Sequence, residues 1–176
     1  MKPMRKFAFV LVVALQVVIL LGLVLKRVHL LTHGKVVRLS CRPVDPRSLL
    51  SGDYVELTYR AADIPRSSKK IIGEIKPRKK IYVAVKKQDD SDVYEAVAYS
   101  MDRSAIEGEG RVILRGRTSS RYGRIKFGVE QYFVPQFEGL KIERQMARVT
   151  VDVAVSESGE CAIKKLYIAD EEVVFY

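Results

Sequence analysis

The sequence has little of what metal-binding and disulfide-rich domains need. It contains two cysteines, Cys41 and Cys161, and two histidines, His29 and His33, with no Cys-x-x-Cys pair. A zinc site needs several closely spaced thiolate or imidazole ligands, so we expect no metal and no cofactor. Two cysteines in a domain outside the cytoplasm can form one disulfide, and their spacing alone leaves open a Cys41–Cys161 bond or two unpaired thiols.

The motifs that position catalytic groups are also missing. The chain has no GxSxG, no HExxH, no glycine-rich phosphate loop and no dinucleotide fingerprint. It lacks as well the basic runs interleaved with stacking aromatics that are typical of nucleic-acid binding. We therefore expect a protein that is not an enzyme and that does not bind nucleic acid.

One long apolar run is present, at residues 7–25, with no charge and with Gln16 as its only strongly polar side chain. A helix of that length spans roughly 28 Å, close to the hydrocarbon thickness of a bilayer. The run exceeds the apolar region of a signal peptide, and no small-x-small cleavage site follows it. We predict an uncleaved signal anchor at residues 1–25, in which Gln16 either faces a partner helix or is tolerated in the lipid.

The distribution of charge gives the expected topology. The net charge is +10, and three of the 31 Lys and Arg residues precede the apolar run, where no acidic residue occurs. The positive-inside rule then favours a cytoplasmic N-terminus and an extracytoplasmic C-terminal domain, which makes a single-pass protein of the cell membrane. The basic remainder suits anionic lipid headgroups, an acidic partner or simple solubility.

Beyond a juxtamembrane stalk at residues 26–34, the pattern changes to period two. Alternating apolar and polar residues predict strands, which are separated by turn signals at short intervals. The predicted strands are 36–39, 54–59, 81–85, 93–101, 112–117, 124–129, 149–155 and 163–168. We predict a mainly β domain over 35–176, an antiparallel barrel or sandwich-like fold with one short helix at 139–147 and a long loop at 63–80.

The most distinctive segment is GDYVELTY at residues 52–59. Gly52 supplies a permissive backbone, and Asp53 can accept hydrogen bonds from nearby amides where the chain enters a strand. On a regular strand, Tyr59 shares a face with Leu57, whereas Tyr54 points to the opposite face. The segment therefore predicts a half-buried strand that follows a tight turn.

At these residues the chain resembles the GDYxxLxY family, small membrane-anchored proteins of unassigned function. All five fixed positions of that motif are filled, and PVDPR at 43–47 and FGVEQYFVP at 127–135 also look like family segments. The resemblance implies one anchor followed by a β-rich domain. It also implies a set of motif residues with a structural or binding role: Asp45, Pro46, Arg47, Gly52, Asp53, Tyr54, Leu57, Tyr59, Glu130, Tyr132, Phe133 and Pro135. These side chains either converge into a polar site or serve as caps, ion pairs and packing.

A second resemblance is to the signal peptidases, which are also membrane-anchored and β-rich. The pattern PxSLxxGDxV at 46–55 is similar to the region where their chain enters a strand. Those enzymes place a nucleophilic serine shortly before the proline, but here Pro43 and Val44 fill the matching positions. Neither is a nucleophile, and no lysine can be assigned as base, so this resemblance implies at most a hydrolase-like fold without the catalytic serine.

Three functional hypotheses follow. The first is a non-catalytic accessory or interaction subunit of a membrane or envelope assembly, whose helix lies beside a polytopic membrane protein. The second is an extracytoplasmic domain that binds a small ligand or a polymer around Asp53, Tyr54 and Tyr132. The third is an unrecognised or degenerate hydrolase.

Overall fold

A computed structural model describes residues 2–43, 54–65, 70–119, 123–135 and 139–174, without the side chains of residues 2–6, 140, 141 and 143. The motif residues Asp45, Pro46, Arg47, Gly52 and Asp53 lie outside the described residues. Every structural statement below concerns the described part of the chain.

The first element is a long helix, α1, over Lys2–His33. Its segment Phe7–His33 is long and apolar enough to cross a membrane, and its most apolar stretch is not buried against the domain. Such a helix fits either a membrane anchor or a signal sequence. The helix continues through the segment predicted as a stalk, so His29 and His33 lie on one face with their rings stacked 4.6 Å apart.

Eleven strands follow in the described residues, and they form three sheets. Their bounds are β1 Lys35–Ser40, β2 Tyr54–Glu56, β3 Ile71–Ile72, β4 Lys80–Lys87, β5 Tyr94–Ser100, β6 Arg111–Thr118, β7 Ile125–Lys126, β8 Gln131–Phe133, β9 Val149–Val155, β10 Cys161–Ile168 and β11 Glu171–Glu172. A short helix, α2, spans Gly139–Arg144, and single 3₁₀ turns lie at Arg60–Ala62, Ser104–Ile106 and Met146–Arg148.

The sheets have the orders β1-β9-β10-β11, β2-β8 and β3-β5-β4-β6-β7. All neighbours pair antiparallel except β3 and β5, which are parallel. None of these sheets closes on itself within the described residues, so the mainly β prediction is confirmed in its sandwich-like form rather than as a barrel.

The core lies between the four-stranded and five-stranded sheets. In β9 the alternate residues Val149, Val151, Val153 and Val155 are all buried and belong to one large cluster. Ile81, Val83 and Val85 of β4 join the same cluster from the opposite sheet. On the outer face of the five-stranded sheet, Ile106 covers a smaller cluster with residues of β4, β5 and β6. The period-two burial explains why the sequence pattern identified these strands.

Helix α1 does not end in a free stalk, because its last turns lie on the outer face of the four-stranded sheet. Leu30 is buried against Ala154 and Ala162. Gly34 ends the helix by donating its amide to the Leu30 carbonyl, and a Cβ at Gly34 would lie 2.4 Å from that oxygen. The close approach needs glycine at this position.

The regular strands differ from the predicted ones where the chain leaves a sheet. The predicted strand 54–59 is regular only over β2, and Tyr59 then makes an isolated bridge with Cys41. The predicted strand 124–129 is regular only over β7, the loop 63–80 contains β3, and the helix predicted for 139–147 ends at Arg144. Strands β8 and β11 are additions to the prediction, and both are too short to show alternation.

The two cysteines are buried free thiols, so the disulfide that the sequence left open is not formed. The Cys41 amide donates to Val149, at one end of β9, whereas Cys161 pairs with Val155 at the other end. Six residues of strand separate these levels by roughly 20 Å, while a disulfide needs Cα atoms within about 7 Å. Burial raises the pKa of each thiol to about 12, which makes both unreactive.

Candidate functional site

The family motif meets its downstream partner segment in the two-stranded ribbon β2–β8. Tyr54 pairs with Phe133, and Val55 pairs with Tyr132. The Tyr54 and Phe133 rings lie edge to face at 6.4 Å between centroids. The structure thus brings together, through backbone pairing, segments that the sequence separates by more than 70 residues.

Tyr59, the last motif residue, is fully buried and holds the ribbon to the core. Its hydroxyl donates a 2.6 Å hydrogen bond to the Val129 carbonyl oxygen, and its ring packs against Phe127. Burial raises the pKa of Tyr59 well above its ordinary value, so the hydroxyl stays protonated and remains a donor. Leu57 is also fully buried.

Glu130 bonds to main-chain amides on both sides of the ribbon. Its carboxylate accepts hydrogen bonds from the amides of Phe127 and Gly128, and its carbonyl accepts one from the Leu57 amide. Gly128 has a φ of +81°, a conformation in which glycine is favoured, and the carboxylate satisfies the amides of this turn. Pro135 is exposed just beyond β8, and Phe133 is 74% exposed.

A second arrangement, which the sequence analysis did not identify, lies where α1 meets the domain. A groove of about 590 Å³ runs between the last apolar turn of the helix and the edge of the five-stranded sheet. We call it the junction groove. Its lining includes Leu23, Lys26, Arg27 and Leu30 of α1, Lys80, Arg115, Arg117 and Lys126 of the sheet, and Glu130, Glu160 and Cys161.

Three cations of the junction groove stand in one row across three strands. Lys80 pairs directly with Arg117, and Arg117 pairs directly with Lys126. The three side chains share the outer face, because their neighbours Ile81 and Ile125 point into the core. All three are exposed, and none has a carboxylate within ion-pair distance among the described residues. Like charges directly opposite one another in a sheet are destabilising.

Glu160 ties the helix to the sheet beside that row. It accepts from Lys26 of α1 at 2.7 Å and from Arg115 of β6 at 2.8 Å. The hydrogen bond from Lys26, with that from Arg115, lowers the pKa of Glu160. Arg27 donates to the Cys161 carbonyl oxygen at 3.2 Å, so both basic residues that follow the apolar run contact the domain.

A third polar group lies on the outer face of the four-stranded sheet. Arg38 donates two hydrogen bonds to Asp152, at 2.7 and 3.1 Å, and its guanidinium lies 4.2 Å from the centre of the Tyr167 ring. The bond to Asp152 raises the pKa of Arg38. A bidentate pair of this kind fixes β1, β9 and β10 relative to one another and leaves no free charge for chemistry.

Two further cavities flank these groups. One, of about 860 Å³, includes His29 and His33 together with residues of the turn after β9. The other, of about 450 Å³, is mostly apolar and is lined by Ile64, Pro65, Ile71, Ile75, Lys76, Pro77, Thr118, Ser119, Gly123 and Arg124. Neither lining includes Tyr54 or Tyr132, the described residues around which the sequence suggested a ligand.

The described His, Cys, Asp and Glu side chains include no group of three placed to hold a metal ion. The sequence does not predict the junction groove, because its cations come from separate segments that meet only through strand pairing. The one signal in the sequence was that Lys26 and Arg27 follow the apolar run at once.

Comparison with known proteins places this architecture in a family. The family model described as GDYXXLXY protein matches residues 16–166, which takes in the C-terminal half of α1, strands β1 to β9 and most of β10. No curated protein and no solved structure matches the chain. Since the family match covers most of the 176 residues and includes the motif at 52–59, the chain belongs to the GDYXXLXY protein family.

Proposed function

We propose that this protein is a non-catalytic, single-pass accessory protein of the cell membrane, whose α1 anchors it and whose extracytoplasmic β domain docks on another membrane protein. The observation that carries the proposal is the fixed attachment of α1 to the domain. An anchor that is bound to its domain transmits the tilt and rotation of the helix to the folded part, so the bilayer orients the docking face.

The attachment has both apolar and charged contacts. Leu30 is 7% exposed over Ala154 and Ala162, and Glu160 binds Lys26, the residue that follows the apolar run. A signal peptide is removed after translocation and needs no such contacts with the mature domain. The contacts therefore favour an uncleaved anchor.

The motif residues support a docking role over catalysis. The polar side-chain atoms of Tyr59 and Glu130 form hydrogen bonds with main-chain groups. Pro43 stands where a signal peptidase has its nucleophile, and it has no group that could attack. The ribbon instead presents Phe133, the one exposed aromatic side chain among the described residues beyond α1. Exposed aromatics of this kind are typical of interface hot spots.

The test is crosslinking of tagged full-length protein in its native membrane, followed by mild solubilisation and quantitative mass spectrometry. We expect one integral membrane protein to be recovered in a fixed ratio. The variant Phe133→Ser should reduce that recovery by more than tenfold, because a buried aromatic anchor contributes about 2 kcal/mol or more.

Val174→Ser is the matched control, since Val174 is also apolar and 53% exposed but lies outside the ribbon. It should leave the recovery unchanged. Recovery of the protein alone, or equal recovery with Phe133→Ser, contradicts the proposal.

A second candidate function is binding of a small apolar ligand in the 450 Å³ cavity rather than at the motif. That cavity is of the size and character of ligand sites, and Ile71 lines it. We expect fluorobenzene to show ¹⁹F line broadening with the wild-type protein that Ile71→Trp abolishes. Ile72→Trp changes the exposed neighbouring position and is the control for non-specific association of fluorobenzene. It should keep the line broadening. Equal broadening in both variants contradicts ligand binding there.

A further inference from the structure

We propose that the junction groove binds the phosphate of an anionic phospholipid from the bilayer that holds α1. The proposal rests on membrane anchoring by α1 and goes beyond it, because it assigns a ligand and a site to the domain. The row Lys80, Arg117 and Lys126 carries it, together with the position of that row beside the membrane-spanning helix.

The row is unfavourable without an anion. Lys80, Arg117 and Lys126 lie directly opposite one another, at Cβ spacings of about 5 Å, and no carboxylate of the described residues forms an ion pair with them. Glu160 is already shared by Lys26 and Arg115, and Glu130 is engaged with backbone amides. A phosphate oxygen cluster between the three cations would replace repulsion with charge-assisted hydrogen bonds.

The backbone at Gly116 keeps strands β6 and β7 close together beside the row of cations. Gly116 precedes Arg117. A Cβ built on Gly116 would lie 2.3 Å from Ile125 Cγ2 and 2.9 Å from the Lys126 carbonyl oxygen. Glycine therefore lets β7 approach β6 closely at the point where Lys126 faces Arg117.

The position of the groove argues for a lipid as the source of the phosphate. Leu23, which belongs to the apolar run at 7–25, lines the same groove as the row. Lys26 and Arg27 follow within one turn, at the depth of the headgroups when residues 7–25 fill the hydrocarbon core. A lipid can thus place its chains along Leu23 and its phosphate against the row, as basic pockets beside membrane helices do.

The experiment is native mass spectrometry of the full-length protein in mild detergent, with phosphatidylglycerol or phosphatidylcholine added stepwise. We expect the wild-type chain to retain phosphatidylglycerol in preference to phosphatidylcholine. In Lys80→Gln/Arg117→Gln/Lys126→Gln the affinity for phosphatidylglycerol should fall on the order of 100-fold, since each cation near the surface contributes about a factor of five.

The charge-matched control is Lys86→Gln/Arg148→Gln/Lys164→Gln, which removes the same net charge from exposed positions outside the groove. It should change the affinity by less than about fivefold, because none of these three residues lines the groove. The charge-conserving variant Lys80→Arg/Lys126→Arg should keep the preference, because all three positions of the row stay cationic.

Three outcomes overturn the proposal. One is equal retention of phosphatidylglycerol by the groove variant and the wild-type chain. Another is equal loss in the charge-matched control. The third is displacement of the lipid by inorganic phosphate at equal concentration, which assigns the groove to a soluble anion. Carbonate extraction of membranes tests the lipid site and the anchor separately. If carbonate releases the wild-type chain, the anchor is refuted. If the chain is retained but shows no lipid preference, only the lipid site is refuted.

Discussion

At the scale of single residues, a tyrosine of the family motif and a tyrosine outside it have different surroundings. Tyr59 is fully buried and bonded to the Val129 carbonyl, whereas Tyr82 is half-buried on the outer face of its sheet. A buried carbonyl that loses its donor costs about 1–2 kcal/mol. We therefore expect Tyr59→Phe to lower the free energy of unfolding by that amount, measured by chemical denaturation of the full-length protein in detergent.

Tyr82→Phe is the matched control for that measurement, because no hydrogen bond of its hydroxyl occurs among the described residues. Its effect should stay within about 0.5 kcal/mol. Equal effects of the two substitutions contradict a structural role of the Tyr59 hydroxyl.

At the scale of elements, Gly116 decides whether β7 can pair with β6. The contacts of a Cβ with Ile125 and the Lys126 carbonyl involve packed atoms of β7 that cannot move cheaply. Overpacking of this kind costs about 1–3 kcal/mol. We expect Gly116→Ala to destabilise the domain by this amount and to speed amide hydrogen exchange in β7. Gly108→Ala, whose Cβ meets only the flexible Arg111 side chain, should do neither.

The contact between α1 and the domain should depend on pH through Glu160. Its pKa is lowered in the folded protein by Lys26 and Arg115, so its contribution to stability is complete above the unfolded pKa. The contribution is lost as the pH falls through the folded pKa, which lies below that of an unperturbed glutamate.

We therefore expect the stability difference between wild type and Glu160→Gln to be constant from pH 5 to 8 and to shrink in acid. Melting temperatures of the full-length protein in detergent measure it. Glu157→Gln, at an exposed position with no ion pair among the described residues, should give a small difference with no such dependence. An acid-independent Glu160→Gln difference contradicts the charged contact.

The sequence predicted the parts of the fold that repeat locally and missed those that depend on distant contacts. The alternation at 149–155 matches β9 residue for residue, because one face of the strand is buried along its whole length. In the predicted strand 54–59 the Leu57 amide still bonds to the Glu130 carbonyl, in register with β8, but Tyr59 leaves that ladder and bridges to Cys41. The alternation of residues within 54–59 does not predict either partner, because both are distant in the sequence.

The same limit applies to the candidate site. The motif residues that lie in the described ranges were identified from resemblance, and Glu130 did prove to lie close to Leu57. The junction groove was not identified, because Lys80, Arg117 and Lys126 become neighbours only through the pairing of β4, β6 and β7. The attachment of Leu30 to Ala154 and Ala162 likewise joins residues more than 120 positions apart, so residues 26–34 were predicted as a stalk.

At the scale of the whole molecule, the attachment of α1 predicts that the domain has one orientation over the bilayer. The turn after β9 lies beside Lys26, whereas β11 lies at the opposite end of the eight-residue β10, roughly 25 Å away. A fluorophore on Glu157→Cys should therefore be quenched strongly by lipids with nitroxide headgroups, and one on Glu171→Cys only weakly. Both positions are exposed, and the native thiols are buried and should not react.

Removing the attachment should remove this difference. In the Leu30→Ala/Glu160→Gln background the apolar contact and the charged contact of α1 are both lost, so the domain can swing about Gly34. We expect the two labels to approach the same intermediate quenching there. Equal quenching already in the wild-type background would mean that the helix does not orient the domain, and the proposed docking geometry would then have no structural basis.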